Sequence, residues 1–93
     1  MRNVLTIEIN IAGADVNKVG PGGSTPLAEA ARIGSARMVE FLVDQGADVE
    51  VKNPAYGGAT AVLVAVIHRR QTVVDVLIAV STIFFRFVNF TEF

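Results

Sequence analysis

Ninety-three residues hold one small domain or a piece of a larger one. With 52% apolar and 18% charged residues the chain is too apolar to be intrinsically disordered, and a formal charge of −1 supplies no overall basic field for a phosphate backbone, which disfavours sequence-independent nucleic-acid binding. Cysteine is absent and His68 is the single histidine, so disulfides, zinc-ribbon sites and thiol catalysis are removed and almost nothing is left from which to build a triad or a metal site.

In chain order, residues 1–12 carry an interrupted apolar stretch. Glu8 and Asn10 break what would have to be the core of a secretory signal, and Ile7, Ile9 and Ile11 alternate like a strand. Residues 13–21 read as a hairpin arm whose tip is Gly20-Pro21-Gly22-Gly23. These glycines suit a turn, and the Gly-Lys-Ser/Thr ending of a phosphate-binding loop is missing. Ser24 or Thr25 then caps a helix with Pro26 at its first position, where a missing N–H removes no hydrogen bond. Leu27, Ala30 and Ala31 share one face of that helix, the alanines allowing a neighbour to come close, and Gly34 ends it. A second helix presents Met38, Val39, Phe41, Leu42 and Val43 and stops at Gly46.

Asp48–Val51 alternates polar and apolar like a short extended arm, and Pro54, Gly57 and Gly58 mark a loop. The pattern then returns, with Val62, Ala65 and Val66 on a short helix and Val73, Val74, Val76, Leu77 and Ile78 on a longer one. Asp75 and Arg86 confine the uninterrupted apolar run to Val76–Phe85, well short of the roughly 20 residues of a spanning helix. Five of the six phenylalanines fall in the last ten residues, which keeps membrane association as a rival expectation.

This is an internal repeat. Gly13-Ala14-Asp15-Val16 recurs as Gly46-Ala47-Asp48-Val49 at an offset of 33, and Val39–Val43 recurs as Val74–Ile78 at an offset of 35. The two extra residues lie in Glu50–Ala59, among turn formers. Gly13–Asn17, Gly22–Gly34 and Met38–Glu50 resemble the ankyrin repeat consensus, strongly over Gly13–Val51, less so over Gly58–Ala79, and not at all over the last thirteen residues. The family's threonine-proline-leucine-histidine reads Thr25-Pro26-Leu27-Ala28 and then Thr60-Ala61-Val62-Leu63, so both histidines are missing. Arg69 stands where the first unit has Gly34, and a left-handed conformation there costs about 1 kcal/mol.

The resemblance implies an all-α helix-turn-helix solenoid with short β-hairpin loops and about two repeats. Residues 1–12 would be a remnant of a preceding repeat or a cap, with a poor helix over Val4–Ile11. Residues 13–21 would be a hairpin arm, 22–54 a first repeat, 55–80 a degenerate second one, and 81–93 a hydrophobic tail outside the pattern. Such units close their core only on neighbours, so the chain is expected to be part of a longer array, marginally stable alone.

The implied function is a non-catalytic protein–protein interaction module in the cytoplasm or nucleus, with no cofactor, metal or small-molecule substrate. Rival expectations are a membrane-associated fragment and the recognition domain of a larger enzyme. In ankyrin proteins the hairpin tips and the exposed side of the first helices contact protein partners. Carried onto this chain, that face offers Glu29, Arg32, Tyr56 and His68 as anchors, with Lys52 and Asn53 on the lengthened loop. Arg69-Arg70 could also meet an acidic partner, although two adjacent charges at a turn are ordinary.

Overall fold

The computed structural model describes the backbone of residues 15–92 and the side chains of residues 15–81. Its helices are α1 (Pro26–Ile33), α2 (Ala36–Asp44), α3 (Ala61–Ile67) and α4 (Gln71–Glu92), with one 3-10 turn at Pro54–Tyr56. Thr25, not Ser24, caps α1: its hydroxyl accepts from the Ala28 N–H at 3.2 Å. Gly34 closes α1 at φ 91, its N–H donating to the Ala30 carbonyl at 2.9 Å. Ser35 caps α2 in the same way through the Met38 N–H at 3.1 Å.

The expected hairpin arms contract to turns. Among the described residues no strand forms, and a single antiparallel bridge joins Asn53 to Ala59. The two Gly-Ala-Asp-Val loops are joined by a side chain instead. Asn17 donates from Nδ2 to the Gly46 carbonyl at 3.2 Å, and its Oδ1 accepts from the Asp48 N–H at 2.6 Å.

Each helix pair packs on the other, α1 against α3 and α2 against α4. Leu27, Ala28, Ala30 and Ala31 of α1 meet Met38, Val39 and Leu42 of α2, Ala61, Val64 and Ala65 of α3, and Val73 and Leu77 of α4 in one core. Burial of each large side chain here is worth roughly 1.5–3 kcal/mol relative to exposure. The alanines of α1 are fully enclosed, as close packing of α1 on α3 requires.

Val66 departs from expectation. It was assigned to the buried stripe with Val62 and Ala65, yet it is 53% exposed, and the buried stripe of α3 is Ala61, Val64 and Ala65. Its counterpart at the 35-residue offset is Ala31, which is 0% exposed because α3 lies over it. Leu63 differs from Ala28 in the same way, 51% against 0%. Among the described residues no helix pair lies on the far side of α3, so the positions that the second unit covers in the first are open in the second. The α4 backbone continues as one helix across the expected boundary at residue 80. Val4–Ile11, and the tail side chains expected to cap the stack, lie outside the described residues.

Arg69 takes φ 57, the left-handed conformation that Gly34 adopts in the first unit. Its β-carbon makes that conformation costly, so Arg69→Gly is expected to stabilise the fold by up to about 1 kcal/mol. The measurement is a higher urea midpoint at unchanged slope; a lower midpoint would show that no strain resides there.

Candidate protein-binding face

The face formed by the loop tips and the outward side of α1 and α3 is positioned by one buried amide. Asn53 is fully enclosed, and its Oδ1 accepts from both the Thr25 N–H at 2.8 Å and the Thr25 hydroxyl at 3.1 Å. Its Nδ2 donates to the Val51 carbonyl at 3.2 Å and the Ala59 carbonyl at 2.8 Å. Every hydrogen-bonding site of the amide is used, which is how a buried polar side chain becomes stabilising. The second loop is thereby fastened to the start of α1. Gly23 completes the fit: its carbonyl accepts from the Ala55 N–H at 2.9 Å, and a β-carbon added to it would come within 2.9 Å of that same nitrogen.

So placed, the second loop delivers Tyr56 to α1. The Tyr56 hydroxyl donates to Glu29 Oε2 at 3.0 Å, and the Ser24 hydroxyl donates to the same oxygen at 2.9 Å. Arg32, one turn along α1, donates to Glu29 Oε1 from Nη2 at 3.0 Å and from Nε at 3.3 Å. Burial alone would raise the Glu29 pKa, but the donors from Ser24, Arg32 and Tyr56 outweigh it and hold the carboxyl below its ordinary value. Glu29 in turn raises Arg32, and burial together with donation to Glu29 raises the Tyr56 hydroxyl. His68 sits edge-on to the Tyr56 ring, with centroids 6.2 Å apart and planes at 90°. Its Nδ1 lies 2.9 Å from the Val64 carbonyl, which makes Nδ1 the protonated nitrogen.

Four of the sequence-selected residues, Glu29, Arg32, Tyr56 and His68, therefore lie together. Lys52 is exposed on the adjoining loop. Asn53 is a correction: it was expected to reach a partner, but its side chain is wholly enclosed and committed to Thr25, Val51 and Ala59. The sequence placed Ser24 among the hairpin positions of this face but not among its anchors, although a hydroxyl just before a helix with a glutamate in its first turn was the available signal. Ile67, one of the first-helix positions expected on this face though not chosen as an anchor, is 64% exposed beside His68. Among the described residues no group of three potential ligands could hold a metal ion, and no helix is long and apolar enough to cross a membrane.

Removing the Asn53 amide leaves buried groups of Thr25 and Val51 unpaired, so Asn53→Ala is expected to destabilise by about 2–4 kcal/mol in chemical denaturation. Asn53→Asp should cost at least as much, because a carboxylate oxygen would face the Val51 and Ala59 carbonyls. The Glu29 carboxyl, depressed in the folded state, contributes stability that is fully present above its ordinary unfolded value near 4.5 and is lost as pH falls through the lower folded value. Carboxyl carbon NMR should show that low titration, and Tyr56→Phe should move it upward; an unmoved midpoint would rule out coupling between the two.

A family model for ankyrin repeats matches residues 2–84 with three copies, where the sequence reading counted one good unit, a degenerate one and half of another. The ankyrin repeat domain-containing protein M-T5 of Myxoma virus (strain Lausanne) is 39% identical over 70 residues, covering 71% of this chain and 14% of that protein. Among solved structures, a chain from the complex of a predatory endopeptidase of Bdellovibrio bacteriovorus with an immunity protein superposes with a TM-score of 0.71. It is 31% identical and the match covers 81% of this chain and 39% of that one. The chain thus spans well under half the length of either relative. With the repeat, the paired helices and the family match in agreement, this chain belongs to the ankyrin repeat family.

Proposed function

We propose that the chain is a non-catalytic binding unit whose ligand is a folded or extended protein surface, and that Glu29, Arg32, Tyr56 and His68 form its contact, with Lys52 at the margin. Ankyrin repeats are protein-interaction modules, and the solved relative comes from a complex between two proteins. The observation that carries the residue-level reading is the carboxylate of Glu29 with its four hydrogen bonds from Ser24, Arg32 and Tyr56. That network fixes an arginine and a tyrosine, the side chains most often dominant at interfaces, before any partner arrives. Rotamers already held do not have to be ordered on association, which favours binding. Glu29 itself is saturated and acts by positioning its neighbours.

Two helix pairs expose little of this face compared with the roughly 800 Å² per partner of a standard interface. Because the chain spans 14% and 39% of its relatives, we infer that it works as part of a longer array whose other repeats extend the contact. The lack of cysteine suits a cytoplasmic setting.

The test is selection of displayed peptides or small proteins on the immobilised chain, followed by affinity measurement against variants. Arg32→Ala and Tyr56→Ala are each expected to weaken the selected binders by about tenfold or more, while Glu40→Ala, on the outward side of α2, should change little. Binders indifferent to Arg32 and Tyr56 but sensitive to Glu40 would move the binding face elsewhere.

A further inference from the structure

The near-zero net charge hides an uneven distribution. The turn from α1 to α2 and the turn from α3 to α4 lie side by side: Arg70 donates from Nε to the Arg32 carbonyl at 2.9 Å, and its Cδ lies over Gly34, 2.8 Å from where a β-carbon would stand. From Ala30 to Val39 and from Ala61 to Val74 the chain places Arg32, Arg37, His68, Arg69 and Arg70 and no Asp or Glu. Asp44 is the last residue of α2, at its opposite end, and Asp48 and Glu50 lie beyond it. Arg32 is paired with Glu29. Arg37, Arg69 and Arg70 are exposed, and among the described residues none of them has an acidic partner.

Arg70 caps the Arg32 carbonyl in the last turn of α1, but the fold's own preferences do not account for Arg37 and Arg69. Cations are favoured at helix C-termini, which suits Arg32, and disfavoured at N-termini. Arg37 nevertheless sits in the first turn of α2 and Arg70 directly precedes α4, and neither helix has an acidic residue in its first turn. Arg69 occupies a left-handed position at φ 57 that the first unit gives to glycine. Arg37 is thus set against a helix dipole and Arg69 against its backbone preference, beside the turn that Arg70 caps.

We propose that this edge, built by Arg37, Arg69 and Arg70, docks an acidic polypeptide segment. It borders the Glu29–Tyr56 contact at Arg32 and His68 but is built by different arginines, so the proposal goes beyond that reading. Arginine's planar fork takes a carboxylate through two parallel hydrogen bonds, and the edge holds arginine without lysine. Exposed Ile67, just before His68, adds an apolar contact suited to an aliphatic side chain among the acids. The overall charge of −1 offers no long-range attraction to a nucleic acid, which leaves short-range recognition of carboxylates as the better match.

The experiment measures fluorescence anisotropy of a labelled Glu- and Leu-containing peptide, and of a single-stranded oligothymidine of equal charge, with the full chain at two salt concentrations. The peptide is expected to bind, to weaken as salt rises, and to lose about fivefold or more in affinity with Arg37→Ala and with Arg69→Gly. Lys18→Ala should leave the affinity unchanged. Because Arg69→Gly relieves strain, its thermal midpoint should not fall, which separates lost binding from lost folding. Absence of peptide binding, binding unaffected by both arginine variants, or oligothymidine binding as tight as the peptide's would each overturn the proposal.

Discussion

Neither helix pair in this chain can bury its own apolar stripe, and the seam between the pairs governs the rest of the structure. The seam works because α1 presents alanine where α3 must approach: Ala28, Ala30 and Ala31 are all fully enclosed. Small side chains bring the helices close enough for Val64, Ala65, Val73 and Leu77 to close over Leu27, Met38 and Leu42. The same geometry explains the exposed apolar surface on the far side. Leu63 and Val66 occupy the positions of Ala28 and Ala31 and lie open because the described chain places nothing over them. Among the described residues, exposure here follows from the lack of a neighbour on that side, without any change in local helix pattern.

Stacking brings the loops into register, and polar groups then fix them. The Asn17 side chain spans the two Gly-Ala-Asp-Val loops, and the Asn53 side chain fastens the second loop to the cap of α1. That connection, together with the Ala55 N–H bond to the Gly23 carbonyl, sets Tyr56 against Glu29, 27 residues away in sequence. A buried amide with all its hydrogen bonds made is thus the link between the apolar core and the arrangement of polar side chains on the face. Where the family has histidine this chain has Ala28, which lies in the core, while Thr25 finds its partner in Asn53, 28 residues along the chain.

The surface carries two differently constructed regions. At the loop tips, opposite charges neutralise each other and rigidify a tyrosine and an arginine. Along the helix turns, like charges accumulate against a helix dipole and against one residue's backbone preference. The first region is low in net charge and shaped for contact. The second concentrates exposed positive charge without acidic partners among the described residues.

The sequence by itself determined the helix pairs, because caps, left-handed terminators and apolar spacing are local and repeat at a fixed offset. Thr25, Pro26, Gly34 and Gly46 each mark a boundary through their own backbone or side-chain chemistry, and Arg69 in place of Gly34 disclosed its strained conformation in the same way. Glu29, Arg32, Tyr56 and His68 were legible as members of one face, since their positions follow from the repeat. What only the tertiary structure decided was which polar groups meet and which apolar groups are covered. Asn53 reads as a surface loop residue until the loop folds back onto Thr25, and Val66 reads as core until the stack is seen to leave it uncovered. Both outcomes depend on contacts between units far apart along the chain, and no local pattern encodes whether a neighbour is present to make them.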